Sequence, residues 1–217
     1  MDEKIAALKE KGNNQFREKL YDDCIDTYSE AIHELAMKRQ ERQNLLSDVG
    51  VVNVDKKELN NTDEADIDVE NEKCPYTDEE KEILAALFGN RSAAYLAIHE
   101  SEAAIDDCNQ ALDYKPDYIK VLIRRMQIHE KADRLDDALI DAKKVLSLDP
   151  SYPSIQSIVN KLQIKHDEKM NKLKDEALSK LKDLGNTILG NFGMSLDNFK
   201  MKQDPNTGSW SINMNQG

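Results

Sequence analysis

A chain of 217 residues with a formal net charge of −12, 33% charged and only 6% aromatic, is long enough for one substantial core and reads as a well-solvated helical protein. The acidic balance argues against non-specific binding to nucleic acid or anionic membranes, which need positive fields, and no apolar run approaches the ~20 residues that span a bilayer. The charged start "MDEKIAALKEKGNN" is unlike a secretory signal, and three widely spaced cysteines without a C-x-x-C point to a cytoplasmic setting, without disulfides or zinc.

The elements follow in chain order. Residues 1–37 read as a first helix pair, its second helix carrying "LYDDCIDTYSEAIHELA". Residues 38–80 read as an acidic insertion, mostly loop. From Asp48 to Glu80 it holds 12 acidic residues against Lys56, Lys57 and Lys73, a net of −9. It ends in "TDEEKEILAALF", a helix start with Thr77 or Asp78 as cap and Glu79 and Glu80 in the first turn. Residues 81–151 hold two further pairs. Here "ESEAAIDDCNQALDYKPDY" and "RLDDALIDAKKVLSLDPSY" align without gaps, with Ala104 over Ala138 and Pro116 over Pro150, each 34 residues apart. The first pair follows the same pattern at an offset of 80, Cys24 over Ala104 and Ala31 over Ala111, so one connection is stretched. Residues 152–190 read as one long helix that covers the last face of the array, with a stripe of Met170, Leu173, Ala177, Leu181, Leu184 and Ile188. Residues 191–217 turn around "DPNTG" and form an extended or hairpin tail carrying Trp210.

A 34-residue period of paired helices, with small residues where they cross and Pro at the exit, resembles the tetratricopeptide repeat. The resemblance implies an all-α fold: a right-handed superhelix of three helix pairs followed by a long capping helix. Gly12, Ser92 and Ala138 are the small crossing residues, and Tyr21, Tyr28, Tyr95 and Leu135 the large ones that fill between helices. Met126 stands where the family prefers a small residue.

Helix spacing then selects candidate binding residues. Lys9 and Asn13 lie four apart on the first helix of pair one, and Lys120 and Arg124 four apart on the first helix of pair three, so each couple shares a face. Asn90 opens "NRSAAY" on the first helix of pair two. Successive first helices can line one groove, which brings these five donors onto a strip suited to closely spaced carboxylates. The segments "LKEKGNNQF", "NRSAAY" and "YIKVLIR" resemble those carrying the carboxylate clamp of chaperone-binding tetratricopeptide domains. By that resemblance the partner is the C-terminal Glu-Glu-Val-Asp peptide of the ninety- or seventy-kilodalton heat-shock chaperones. Lys9, Asn13 and Asn90 would hold its α-carboxylate, Lys120 the final Asp side chain, and Arg124 the peptide further in. Leu96 is bulkier than the residue often found beside this clamp, and Arg125, one position round the helix, reads as ordinary surface charge.

An enzyme has little to stand on in this sequence. "GNTILGNFG" lacks the phosphate-binding Lys and Ser/Thr, and His33, His99, His129 and His166 lie far apart without H-E-x-x-H spacing. The expectation is therefore a peptide-binding adaptor or co-chaperone with no cofactor and no metal. The alternative is a scaffold that grips a signalling or trafficking protein through its convex face, acidic loop or tail.

Overall fold

The computed structural model describes residues 2–48, 76–191, 194–196, 199–203 and 210–214. They form seven helices and a hairpin: α1 (Glu3–Arg17), α2 (Tyr21–Asp48), α3 (Asp78–Ala97), α4 (Ser101–Tyr114), α5 (Ile119–Lys131), α6 (Leu135–Leu148), α7 (Ile155–Gly190), β1 (Phe199–Gln203) and β2 (Trp210–Met214). The chain divides into two compact units, Met1–Val159 and Asn160–Gly217.

The first unit is built from one device used three times. Each pair, α1–α2, α3–α4 and α5–α6, turns through a non-glycine residue in the left-handed region: Lys19 (φ 64), His99 (φ 68) and Asp133 (φ 57). The residue after each closes a hydrogen bond back across the turn, Leu20 N–H to Gln15 O, Glu100 N–H to Tyr95 O and Arg134 N–H to His129 O, all 2.9 Å. This is how a helix end satisfies its orphan carbonyls, and it sets the same reversal each time. The crossings are close because the residues there are small. A Cβ on Gly12 would stand 2.7 Å from the Tyr28 ring, and Ser92, Ala104, Ala138 and Ala142 are wholly buried. Tyr28, Leu84, Leu87, Val121, Val145 and Ile155 belong to the core that runs through the unit, and Met126 is buried with them.

The insertion is more ordered at its edges than its composition implies. α2 has 28 residues and continues through the start of the segment expected as loop, and α3 has 20 where α5 has 13. Arg42 grips Glu80 through two hydrogen bonds of 3.0 and 2.9 Å, and the Arg39 guanidinium lies 4.7 Å from the centre of the Tyr76 ring. Thr77 is the N-cap and forms a capping box with Glu80: Glu80 N–H donates to Thr77 Oγ1 (3.2 Å) and Thr77 N–H to Glu80 Oε2 (2.8 Å). Burial pushes the Glu80 carboxyl up, but Arg42 and Thr77 outweigh it and hold the group below its ordinary range. The strongly acidic middle of the insertion and Cys74 lie outside the described residues; Cys24 and Cys108 are buried free thiols, pushed up by that burial.

In the second unit the chain after α7 returns to it. Leu196 N–H donates to Asn186 Oδ1 (2.7 Å) and the Leu196 side chain lies over Gly185, where a Cβ would meet it at 2.6 Å. The tail forms the expected hairpin, antiparallel from Phe199 opposite Met214 to Gln203 opposite Trp210; the "DPNTG" turn lies outside the described residues.

The apolar stripe of α7 does not do what the sequence suggests. Ile155, Val159 and Leu162, at the start of the helix, are the buried residues, whereas Met170, Leu173, Leu181, Leu184 and Ile188 are 48–64% exposed. The stripe is present but exposed; within the first unit it is Ile155 and Val159, at the start of the helix, that are buried.

Candidate functional site

The first helices of the three pairs, α1, α3 and α5, supply the candidate residues. Asn13, Asn90 and Arg124 line one pocket of about 200 Å³, together with Phe16, Tyr28 and Ala93. Lys9 stands one turn before Asn13 on α1, and Lys120, exposed, one turn before Arg124 on α5. Neither lysine lines the pocket itself, and among the described residues neither makes an ion pair. So three of the five expected residues meet, and two cations flank them.

The hydrogen bonds inside the pocket fix its polarity. Asn13 Oδ1 accepts from Tyr28 Oη (2.8 Å) and from Asn90 Nδ2 (3.1 Å). Both lone pairs of that oxygen are thereby used, so Asn13 itself offers the pocket only its amide N–H groups. Burial drives the Tyr28 hydroxyl far above its ordinary value, so it stays a donor at every working pH. Arg124 Nη1 donates to the Gly89 carbonyl and to Ser92 Oγ (2.9 Å) on α3. A Cβ on Gly89 would lie 2.9 Å from Val121, so the glycine lets α3 and α5 pack closely at this point. The guanidinium is pinned at one nitrogen and keeps Nε and Nη2 for another acceptor. The Asn13 amide also reaches the exposed Glu10 at 3.4 Å, and Glu10 is itself paired with Arg17 at 3.2 Å. A donor-lined cleft with cations at its rim suits an anionic group, above all a carboxylate.

Arg125 corrects the sequence reading. It is not surface charge: its side chain is 22% exposed and Asp141 beneath it is 2% exposed. Arg125 bonds both Asp141 oxygens at 2.9 and 2.7 Å and reaches Asn109 Oδ1 on α4 at 2.6 Å. One repeat earlier, Arg91 does the same with Asp107 (2.8 and 2.7 Å) and with Ser29 Oγ on α2 (2.7 Å). Each arginine thus ties the two helices of its own pair to the preceding pair. Asp107 is pushed up by burial, with Arg91 opposing; Arg91 and Arg125 are held above their ordinary range by these carboxylates against the burial that lowers them. The signal was available in sequence, since Arg91 and Arg125, and Asp107 and Asp141, each lie 34 apart. Pair one has Lys11 and Thr27 at these positions, so the device begins at pair two.

A larger pocket of about 290 Å³ between α4, α5 and α6 is lined by this second ion pair, Asn109, His129 and Asp137 among others. Burial lowers the His129 pKa, with Asp137 at 4.0 Å raising it, and its buried Nδ1 makes no hydrogen bond among the described residues. No group of carboxylates, histidines and cysteines among the described residues could hold a metal ion, and no described helix is long and apolar enough to cross a membrane.

Solved structures match this arrangement of paired helices. UNC-45, the myosin chaperone of C. elegans, was crystallised in complex with an Hsp90 peptide; it aligns with a TM-score of 0.53 and 20% identity, over 86% of this chain and 16% of that one. Yeast Tom70 aligns with a TM-score of 0.50 and 26% identity, over 80% of this chain and 26% of that one. The fold is that of a tetratricopeptide domain. In sequence, the DnaJ homolog subfamily C member 7 homolog of Dictyostelium discoideum is 35% identical over 86 residues, 40% of this chain and 16% of that protein. The chain spans less than a third of the length of the curated relatives it matches. No family model matches it.

Proposed function

We propose that the α1–α3–α5 face of this tetratricopeptide domain binds the free C-terminus of an acidic peptide of the Glu-Glu-Val-Asp type, as an adaptor or co-chaperone of cytoplasmic heat-shock chaperones. The observation that carries this reading is the pocket of Asn13, Asn90 and Arg124, in which the Asn13 side-chain oxygen is already occupied by Tyr28 and Asn90, so that Asn13 presents its amide N–H groups beside the unpinned face of the Arg124 guanidinium. Asn13 and Asn90 then offer N–H groups to the terminal carboxylate, with Lys9 adding charge from the next turn. Lys120 meets the aspartate side chain, and the unpinned side of Arg124 holds the peptide further in. The Hsp90 peptide bound by UNC-45, a protein of the same fold, supports the class of ligand. The segments "LKDLGNTILGNFGMSLDNFKMKQD" and "GSWSIN" are similar to tetratricopeptide repeat protein one, which supports the adaptor role over a catalytic one.

Titration of the chain with a labelled peptide ending in Glu-Glu-Val-Asp tests the reading. Micromolar binding, about −7 to −8 kcal/mol, is expected, weakening as salt rises. Amidating the peptide's C-terminus, or Lys120→Glu or Arg124→Ala in the protein, is expected to remove most of it. Equal affinity for the free and amidated peptides would sink the proposal.

A further inference from the structure

The cleft between α4, α5 and α6 takes no part in the peptide site, and the repeats themselves show what fits it. It encloses about 290 Å³ over the Arg125–Asp141 pair, between walls that include Ile105, His129, Asp137 and Ile140. A shift of 34 residues sets Arg125 on Arg91, His129 on Tyr95 and Ile140 on Asp106. At pair two the Tyr95 ring packs on the cluster of Ala104, Ile105 and Ile128, and the Arg91 guanidinium lies 5.8 Å from its centre. Phe88 flanks the same guanidinium at 5.3 Å. Pair three keeps the arginine and its aspartate but has Leu122 and His129 where pair two has the two rings. Among the described residues no tyrosine, phenylalanine or tryptophan ring lies over Arg125. An imidazole is smaller than a phenol, so the place that Tyr95 fills in one repeat is left partly open in the next.

The walls of the cleft say which ring it takes. Ile140 is 64% exposed where pair two has a charged aspartate, so one wall is apolar and open to a partner. His129 is 7% exposed, and its buried Nδ1 makes no hydrogen bond. Asp137 Oδ2 lies 4.0 Å from that nitrogen, too far for a direct bond. One hydroxyl oxygen at about 2.8 Å from each can join them, accepting from Nδ1–H and donating to the carboxylate. Arg125 is neutralised by Asp141 and Arg134 by Glu102, which leaves Asp137 as the remaining charge and disfavours an anionic occupant. A second copy has no free phenol to offer. All seven tyrosines lie among the described residues, and each is buried or half-buried.

We propose that the α4–α5–α6 cleft is a second recognition site, one that takes an unphosphorylated tyrosine side chain of a partner polypeptide. The ring lies against the Arg125 guanidinium beside Ile140, as Tyr95 lies against Arg91, and its hydroxyl joins His129 Nδ1 to Asp137. A phosphate on that tyrosine would replace the hydroxyl donor with negative charge beside Asp137 and Asp141, and so release it. Arg124 and Arg125 are adjacent in sequence but line different pockets. The site therefore does not depend on the peptide pocket, and the domain can hold a tyrosine-bearing segment whether or not a C-terminus is bound.

The test uses the full chain and follows the His129 ring and Ile140 methyl signals by nuclear magnetic resonance. The probes are short Gly/Ser peptides that differ only in a central Tyr, Phe, Ala or phosphotyrosine. Both ends are blocked, so no terminal carboxylate enters the Asn13–Arg124 pocket. Saturable shifts of both signals are expected with the Tyr peptide, at a dissociation constant of roughly a millimolar. The Phe peptide is expected to bind about fivefold more weakly for want of the bridging hydroxyl, and the Ala and phosphotyrosine peptides to shift neither signal. His129→Tyr gives pair three the residue of pair two and is expected to abolish the Ile140 shift; circular dichroism checks its fold. Ile140→Ser, at an exposed position that leaves the fold intact, is expected to weaken binding at least about fivefold, read at the His129 ring. The proposal is overturned if the Tyr peptide moves neither signal, if Ala or Phe binds as tightly, or if Ile140→Ser or a folded His129→Tyr keeps wild-type affinity. Tighter binding of phosphotyrosine would also overturn it, marking an anion site on Arg125 and Arg134 instead.

Discussion

Ile155 and Leu181 sit on the same stripe of the same helix, yet one is 1% and the other 64% exposed. Nothing in their spacing or chemistry separates them; what differs is whether another helix stands opposite. The first lies in the core beneath the last helix pair, and the second faces solvent. An apolar stripe specifies a surface that wants a partner, and only the assembled neighbours decide whether the chain itself supplies one.

The largest effect that would test this contrast falls inside the packed array. Asp141→Ala removes the carboxylate beneath Arg125 and leaves a half-buried guanidinium without its main partner, at a cost of about 3–5 kcal/mol; chemical denaturation measures it, and a cost near zero would mean that the arginine escapes to water. Ile155→Ala follows at about 2–4 kcal/mol, from lost burial and the cavity left behind, read as a fall in the denaturation midpoint. His129→Gln acts through pH. The folded-state pKa of His129 lies below its unfolded value of about 6.5. The unfolded chain therefore takes up the proton more readily, so the wild type loses stability as pH falls from above 6.5 through the folded-state pKa. The variant is expected to show a flatter stability profile between about pH 7 and pH 5, and an unchanged slope would count against this account. At the other end of the scale, Leu181→Ala should alter stability by no more than about 0.5 kcal/mol, although it removes the same kind of side chain from the same stripe as Ile155→Ala.

The repeats were legible because their signals are local and recur. Proline at the exit, small residues at the crossing and the 34-residue offset are visible in one sequence without any structure. The candidate site was legible in outline: i, i+4 spacing puts Lys120 with Arg124 and Lys9 with Asn13 on any helix. The acceptor saturation of Asn13 was not, because Tyr28 reaches it from 15 residues away and Asn90 from 77. Arg125 was misread for a related reason. A cation beside a binding residue resembles surface charge until Asp141 and Asn109 are brought beneath it. Comparing Arg91 with Arg125 would have exposed it, since a charge repeated in step with the fold is rarely decorative. The edges of the insertion were misjudged because composition is an average over the segment, whereas Arg42 with Glu80 and Arg39 with Tyr76 are single contacts that extend two helices into it.

By itself the sequence determined the paired-helix architecture, its period, the helix start at Thr77, and which residue types could meet an anionic peptide, because each depends on interactions within a few residues or on a fixed offset. Only the tertiary structure decided which polar atoms remained free in the pocket, which arginine became internal, and where the stripe of α7 stopped being core. Those outcomes depend on what stands across from a side chain, and that is set by the whole array rather than by any stretch of it.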